Sequence, residues 1–181
     1  MKDLKSSLPY YYRTSPGIGT NLQLYSLRQA WRCWQDLSSK KDQLGEGKIR
    51  ERCVVTVVLL GISMSQLLGQ NTPLTSDTIP PPRRLLQKFL DQTAISNAQK
   101  ENVIDRFGNF MDMYDDCRHF GPPKHQKLDS LDLKATESFV DLTIEIWDIV
   151  LGHFEVGQGI FKSICEILNE IKEDEEYFHS Q

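Results

Sequence analysis

The sequence predicts an all-α protein, a helical bundle of about five or six helices. Apolar residues recur every three or four positions over most of the chain, which is the spacing of one helix face. Residues that begin helices precede several of these stretches, and glycine- or proline-containing segments separate them. With 181 residues, 39% of them hydrophobic, the chain suits one domain with a single core. We expect an N-terminal arm over 1–19, one helical domain over 20–175 and a C-terminal tail over 176–181.

Composition and charge exclude several classes of function. The formal net charge of −4 argues against the broad basic face that a general nucleic-acid coat needs, although a small basic cleft remains compatible with it. No apolar run reaches the roughly 18 residues that cross a bilayer, and the first residues lack the apolar centre of a secretion signal. The four cysteines are scattered and form no CxxC pair, which is typical of buried thiols in cytosolic proteins. We therefore expect a cytoplasmic protein without membrane contact, metal or cofactor.

The arm and the first helix are separated by a change in residue pattern. Residues 9–19 contain prolines, glycines and three consecutive tyrosines without any helical period. Thr20 then forms a capping box with Gln23, which predicts the start of a helix. Trp31 and Trp34 lie on the apolar stripe of this helix. Such a stripe either packs in the core or forms a binding surface, and core packing is the favoured interpretation.

The most hydrophobic stretch of the chain, Cys53 to Ile62, is ambiguous between strand and helix. Its run of β-branched residues is typical of a strand, and its period decides nothing because it is apolar all round. Charged helix-forming residues precede it, and the apolar positions Met64, Leu67 and Leu68 extend it beyond the length of a strand. The sequence therefore favours a central buried helix.

After a proline-rich linker over 70–82, the second half of the chain predicts four further helical segments. They are Arg83–Gln92, a segment from the capping box of Ser96 and Gln99 to Cys117, a segment from Phe139 to Val150, and a segment from Ile160 to Ile171. The second of these has a core stripe of Val103, Phe107, Phe110, Met111, Tyr114 and Cys117. Residues 127–134 are polar and predict a loop or 3₁₀ turn, a polar approach to the third segment. The fourth segment ends in an acidic run over 170–176.

Residues 115–125 carry the strongest signal for chemistry. This stretch has the sequence Asp-Asp-Cys-Arg-His-Phe-Gly-Pro-Pro-Lys-His, and it interrupts two helical patterns with a Gly-Pro-Pro turn. Arg118 would point past the last turn of its helix, and the turn would bring His125 close to it. An arginine can bind a phosphate through two parallel hydrogen bonds, and an imidazole can move a proton near neutral pH. Together these groups suit cleavage of a phosphodiester next to a ribose 2′-hydroxyl, a reaction that needs no metal.

The spacing of Arg118 and His125 resembles that of the HEPN ribonucleases, small helical proteins with an Arg, four to six residues, then His motif. His119 stands at the polar position after the arginine, where asparagine is most frequent in the family. The six-residue interval is the longest that the family motif allows, and Lys127 stands where some toxin–antitoxin members have a tyrosine. The resemblance implies metal-independent RNA cleavage at a site shared by two protomers of a homodimer. It also implies a toxin–antitoxin or antiviral-defence setting.

On this hypothesis the catalytic residues are Arg118, His125 and His119. Arg106, Lys124 and Lys127 would be RNA-binding residues that contact neighbouring phosphates.

Two other interpretations remain open. Cys117, His119 and His125 could ligate zinc with Asp115 or Asp116 as a fourth ligand. Alternatively, Arg118 and His119 cap the last carbonyls of their helix, where cations suit the helix dipole. The protein would then be a non-catalytic interaction subunit, such as an antitoxin or defence-complex partner, with contacts through the arm and the tryptophan stripe.

Overall fold

In the computed structural model, the described residues are 22–71, 81–118 and 128–153. They form five α-helices, α1 Leu22–Lys40, α2 Glu46–Asn71, α3 Pro82–Leu90, α4 Asn97–Arg118 and α5 Leu133–His153, with a short 3₁₀ helix, Lys41–Gln43, after α1. These three ranges contain no strand, which confirms the all-α prediction. The predicted arm over 1–19, the segment from Ile160 to Ile171 and the tail over 176–181 lie outside the described residues.

The ambiguous stretch Cys53–Ile62 is helical and lies within α2, the central helix of the bundle. Helices α1, α3, α4 and α5 all contact α2. Because α2 has neighbours on several sides, it is buried around most of its circumference, and a helix that is apolar all round is stable there. The β-branched residues are thus explained by burial rather than by strand pairing. No helix in the described ranges is long and apolar enough to cross a membrane.

Helix α1 packs antiparallel to α2. Only a short connection separates the two helices, and Asp36 of α1 contacts Arg52 of α2 as well as Lys40 of its own helix. Leu27, Ala30 and Leu37 of α1 are fully buried in the core. Trp31 and Trp34 are half-buried and pack against this core. The tryptophan stripe is therefore a packing surface, as the favoured interpretation predicted.

The starts of the last three helices follow their local sequence. Pro82 occupies the first turn of α3, where its missing N–H costs nothing. Ser96 Oγ accepts a hydrogen bond from the N–H of Gln99 at 3.3 Å at the start of α4, as the predicted capping box requires. Asp132 Oδ1 accepts one from the N–H of Ala135 at 2.7 Å, and α5 therefore begins at Leu133, inside the predicted polar approach over 127–134.

The buried face of α4 is wider than the predicted stripe. Five of the six stripe residues are buried, but Met111 is only half-buried, while Met113 and Asp116 are buried instead. In its C-terminal half α4 contacts α5 through Phe110 and Phe139 and contacts α2 through Tyr114 and Gly61, so residues on either side of the stripe lose solvent. The aromatic residues of α4 continue into α5, with 5.4 Å between the ring centroids of Phe110 and Phe139.

Cross-helix contacts fix the directions of α2, α4 and α5. Arg106 of α4 pairs with Glu145 of α5, and Phe110, one turn further along α4, packs against Phe139, an earlier residue of α5, so these two helices are antiparallel. Cys53 of α2 lies against Thr136 of α5, and Arg50, one turn earlier in α2, pairs with Asp129, which precedes α5, so these two helices are parallel. The C-terminus of α4 therefore lies at the same end of the bundle as the N-termini of α2 and α5.

Candidate functional site

Arg118 is the last residue of α4, and its guanidinium lies back along that helix. Its Nη2 atom donates a hydrogen bond to Asp115 Oδ1 at 3.0 Å, and its Cζ atom lies 5.1 Å from the ring centroid of Tyr114. Both partners precede it by one helical turn and occupy the same face. The expectation that Arg118 points past the last turn was therefore wrong. The side chain is still 50% exposed, so a ligand can reach it.

The ring of Tyr114 packs directly against Gly61 of the neighbouring helix α2. A Cβ atom added to Gly61 of α2 would lie 2.5 Å from Cγ of Tyr114, closer than real Cβ contacts. The tyrosine is buried, and its ring occupies the space that a side chain on α2 would fill. Gly61 thus allows α2 and α4 to approach closely at this point. The packing of α2 against α4 therefore determines the position of the Tyr114 ring, which supports the guanidinium of Arg118.

Two buried residues directly precede Arg118. Cys117 is 1% exposed, and burial, followed by the charge of Asp116 and the thiol of Cys53, raises the pKa of its thiol to about 12. Asp116 is also buried, and its Oδ2 atom has no hydrogen-bond partner. Because a thiol reacts as its thiolate, the burial of Cys117 makes it a poor nucleophile. Sequence periodicity did not reveal that Asp116 is buried, because it lies beside the apolar stripe.

The described ranges contain no cluster of three His, Cys, Asp or Glu residues that could hold a metal ion. The zinc interpretation used His119 and His125, and these lie outside the described residues, as do Lys124 and Lys127. Their roles therefore stay predictions.

Arg106 has a different setting from Arg118. Its Nη1 atom donates to Glu145 Oε2 at 2.6 Å and lies 3.4 Å from Asn102 Oδ1. Since each helical residue advances about 1.5 Å, the twelve residues between the two arginines correspond to about 18 Å along α4. Arg106 is therefore not part of the immediate surroundings of Arg118. Its predicted contact with RNA stays a prediction.

An open groove that the sequence did not predict lies between residues 92–95 and the C-terminal half of α5. We call it the α5 groove. Its charged residues are Asp141, Glu145 and Asp148, which share one face of α5, and its apolar residues are Ile95, Ile144 and Ile149. The isoleucines are half-buried, and Asp141 is exposed. The spacing of four and then three residues between the acids was visible in the sequence, but it is also common on ordinary solvated helix faces.

Comparison of the chain with protein-family models, with curated proteins and with solved structures found no match to any of them.

Proposed function

We propose that the protein is a HEPN-like, metal-independent endoribonuclease with Arg118 and His125 at its active site. The observation that supports this most is the setting of Arg118: a half-exposed guanidinium at a helix end, supported by a buried tyrosine. Its ion pair with Asp115 is exposed, and such pairs contribute only ~0–1 kcal/mol. A phosphate can therefore replace Asp115 at little cost and receive two parallel hydrogen bonds instead of one.

In this proposal His125 removes the proton from a ribose 2′-hydroxyl, and the resulting oxygen attacks the adjacent phosphorus. The bond to the leaving 5′-oxygen breaks, and that oxygen takes a proton from an imidazolium, either His119 or His125 of the partner subunit. The products are a 2′,3′-cyclic phosphate and a free 5′-hydroxyl. Arg118 stabilises the charge that develops on the phosphate oxygens. Lys124 and Lys127 bind neighbouring phosphates, and the site is shared across a homodimer.

The test is RNA cleavage in EDTA by the purified full-length chain. Single-stranded and transfer RNA serve as substrates, and the ends of the products are identified by mass spectrometry. Wild-type protein should leave 2′,3′-cyclic phosphate ends. His125→Ala should lower the rate by about 10²–10⁴-fold, the usual contribution of a general acid or base. Arg118→Ala should also lose most activity.

A matched control for Arg118→Ala is Arg84→Ala, which removes another exposed arginine from the short helix α3. It should cut RNA at the wild-type rate. Cleavage that persists in His125→Ala, or that Arg84→Ala and Arg118→Ala reduce equally, would contradict the proposed site. A wild-type protein that is monomeric at the assay concentration and still fully active would contradict the shared site.

A second function, a non-catalytic helical interaction subunit, is favoured by one observation. Tyr114 and Asp115, the partners of Arg118 in the described ranges, belong to the last turn of its own helix. An arginine that only stabilises the C-terminal end of the helix dipole would have the same surroundings. In that case the protein would act by binding an antitoxin or defence-complex partner. If wild-type protein and His125→Ala are equally inactive on every RNA, while both elute with the same folded size, this second function is supported instead.

A further inference from the structure

Helix α1 is shielded from solvent around its whole circumference. Over residues 26–38 every residue is buried or half-buried. This range covers more than three turns, so it includes side chains that point in every direction. The Nε1 atom of Trp31 and the Oγ atom of Ser38 are fully shielded from solvent. A helix that packs on one side only exposes residues in each turn, as α3 does at Arg84 and Lys88.

The described helices cover only one side of α1. Among the elements in the described ranges, α2 alone makes extensive contact with α1, apart from the adjoining 3₁₀ helix. Helix α2 also has a stretch without exposed residues, over 56–65, but four helices surround it. Helix α1 has one such neighbour and is shielded over a comparable length. The burial of its far side, the side turned away from α2, therefore requires a further segment of protein.

We propose that residues 160–171 of the same chain form a helix that packs along the far side of α1. At about 1.5 Å per residue, these twelve residues span about 18 Å, close to the length of the shielded part of α1. The segment has an apolar stripe at helical spacing, which needs an apolar surface to pack against. The stripe consists of Ile160, Phe161, Ile164, Ile167, Leu168 and Ile171.

The half-buried indole of Trp31 provides part of that apolar surface. Asp36 of α1 contacts Arg52, so it marks the side of α1 that faces α2. Trp31 precedes Asp36 by five residues, which places it about 140° around the helix from that side. An aromatic ring in this position buries a large apolar area only if another segment lies over it.

The end of α5 brings the chain to the correct end of α1. Helix α1 is antiparallel to α2 and α5 is parallel to α2, so α5 ends where α1 begins. Residues 154–159 follow α5 and include Gly157 and Gly159, which favour a turn. Six extended residues reach up to about 20 Å, the width of about two packed helices. The chain is therefore long enough to turn back and run beside α1.

The other segments outside the described residues fit the far side of α1 less well. Residues 1–19 contain prolines and glycines and have no helical period, so they provide no apolar stripe of the required length. Residues 72–80 and 119–127 connect consecutive helices. Each of these two connections contains two prolines and at most two other large apolar residues. The segment 160–171 is the remaining candidate.

Photocrosslinking of the full-length chain identifies the helix that this segment contacts. The photoreactive amino acid p-benzoylphenylalanine is placed at position 161, where it resembles the native Phe161, and its links are located by mass spectrometry of the digested monomer. Links to residues 26–38 should exceed links to α3 or α4 by at least about tenfold. The same amino acid at position 166 is the matched control. Glu166 lies about 140° around the segment from Phe161, so this position should give few links to α1.

A charge on the apolar stripe should expose α1. Ile164→Asp should release the segment and raise the oxidation of Trp31 by hydroxyl radicals about threefold or more. Asn169→Asp adds the same charge outside the stripe and should leave Trp31 at the wild-type rate. Trp147 of α5 is 0% exposed and lies on the same side of its helix as Thr136, which faces α2, so its oxidation should not change.

Three outcomes would overturn the proposal. The first is that position 161 links mainly to α3 or α4. The second is that p-benzoylphenylalanine in place of Tyr11 links to residues 26–38 more than position 161 does, so that the N-terminal arm covers α1. The third is that the links join two copies in a mixture of isotopically labelled and unlabelled chains. If Trp147 becomes oxidised together with Trp31, Ile164→Asp has unfolded the chain, and the crosslinks decide.

Discussion

Arg106 and Arg118 lie on the same helix, and the sequence predicted an RNA contact for both, but the structure gives them different partners. Arg106 is half-buried and joins α4 to α5 through Glu145. Arg118 is 50% exposed, and within the described ranges its partners, Tyr114 and Asp115, belong to the preceding turn of α4. Arg118 lies twelve positions after Arg106 in α4. Over this distance the ion-pair partner changes from a residue of another helix to a residue of the same helix.

This difference shows that the partner of an arginine, and not only its exposure, determines how easily its guanidinium can be released to bind a ligand. To release Glu145, Arg106 must break a contact that helps to hold two helices together. To release Asp115, Arg118 breaks only a pair at the surface of one helix. In the proposed function a phosphate would replace Asp115 on Arg118 with little loss of stability, whereas a contact of Arg106 with RNA would require the pair between α4 and α5 to break. Five predictions test this difference.

The largest expected effect concerns Cys117, which is buried directly beside the exposed Arg118. With its pKa raised to about 12, its thiolate fraction at pH 8 is about 10⁻⁴, against roughly a quarter for an ordinary thiol. Alkylation of Cys117 in the native chain should be slower than that of an unfolded peptide by about 10³-fold or more. Rates at single cysteines can be followed by mass spectrometry. A rate close to that of the peptide would mean that the last turn of α4 opens as a unit.

The same shift gives a dependence of stability on pH. Because the folded pKa of the Cys117 thiol lies above its unfolded value near 8.5, this group favours folding fully below about pH 8.5. That contribution is lost as the pH rises toward 12. Urea unfolding should show a stability that falls above pH 8.5, and Cys117→Ala should reduce the slope. An unchanged slope would place the cause at Cys33 or Cys53, whose thiol pKa values are also raised by burial.

The next largest effect is expected for Gly61→Ala. The added Cβ atom would overlap the ring of Tyr114, so α2 and α4 must separate or the ring must move. Overpacking of this kind usually costs about 1–3 kcal/mol. Urea unfolding measures the loss, and Gly47→Ala is the matched control, because its Cβ would meet no atom within 4 Å. If both variants are equally stable, the close contact of the helices is not needed.

The ion pair of Arg106 with Glu145 should contribute about 1 kcal/mol, near the upper end for exposed pairs, because both side chains are about two-thirds buried. A double-mutant cycle with Arg106→Ala and Glu145→Ala measures this coupling. A coupling close to zero would remove the distinction between the two arginines.

The smallest effect on stability is expected for Arg118→Ala, within about 0.5 kcal/mol, since its pair with Asp115 is exposed. Thermal unfolding of this variant beside Arg106→Ala compares the two positions directly. A loss of stability at Arg118 larger than that at Arg106 would reverse our assignment of their roles.

The helices could be predicted from the sequence because apolar spacing and capping residues act locally. The side chains of Ser96 and Asp132 cap their helices by accepting hydrogen bonds from backbone N–H groups three residues further on, and only the first of these caps was predicted from the sequence. Features that depend on a second helix could not be read in this way. The pairing of Arg106 with Glu145, the burial of Asp116 and the contact of Gly61 with Tyr114 all require knowledge of which faces meet. The predicted direction of Arg118 was wrong because Tyr114 was considered only as a core residue and Asp115 only as a possible zinc ligand, and neither was considered as its partner.

Gly61 has a consequence for the genetics of this protein. It lies on a helix remote in sequence from Arg118, yet the ring that supports the arginine occupies the space beside it. A screen for variants that lose a function of Arg118 should therefore recover substitutions at Gly61 as well. A smaller residue at position 114, as in Tyr114→Leu, should restore the approach of the two helices and the stability of such a variant, but it should not restore the aromatic support of Arg118.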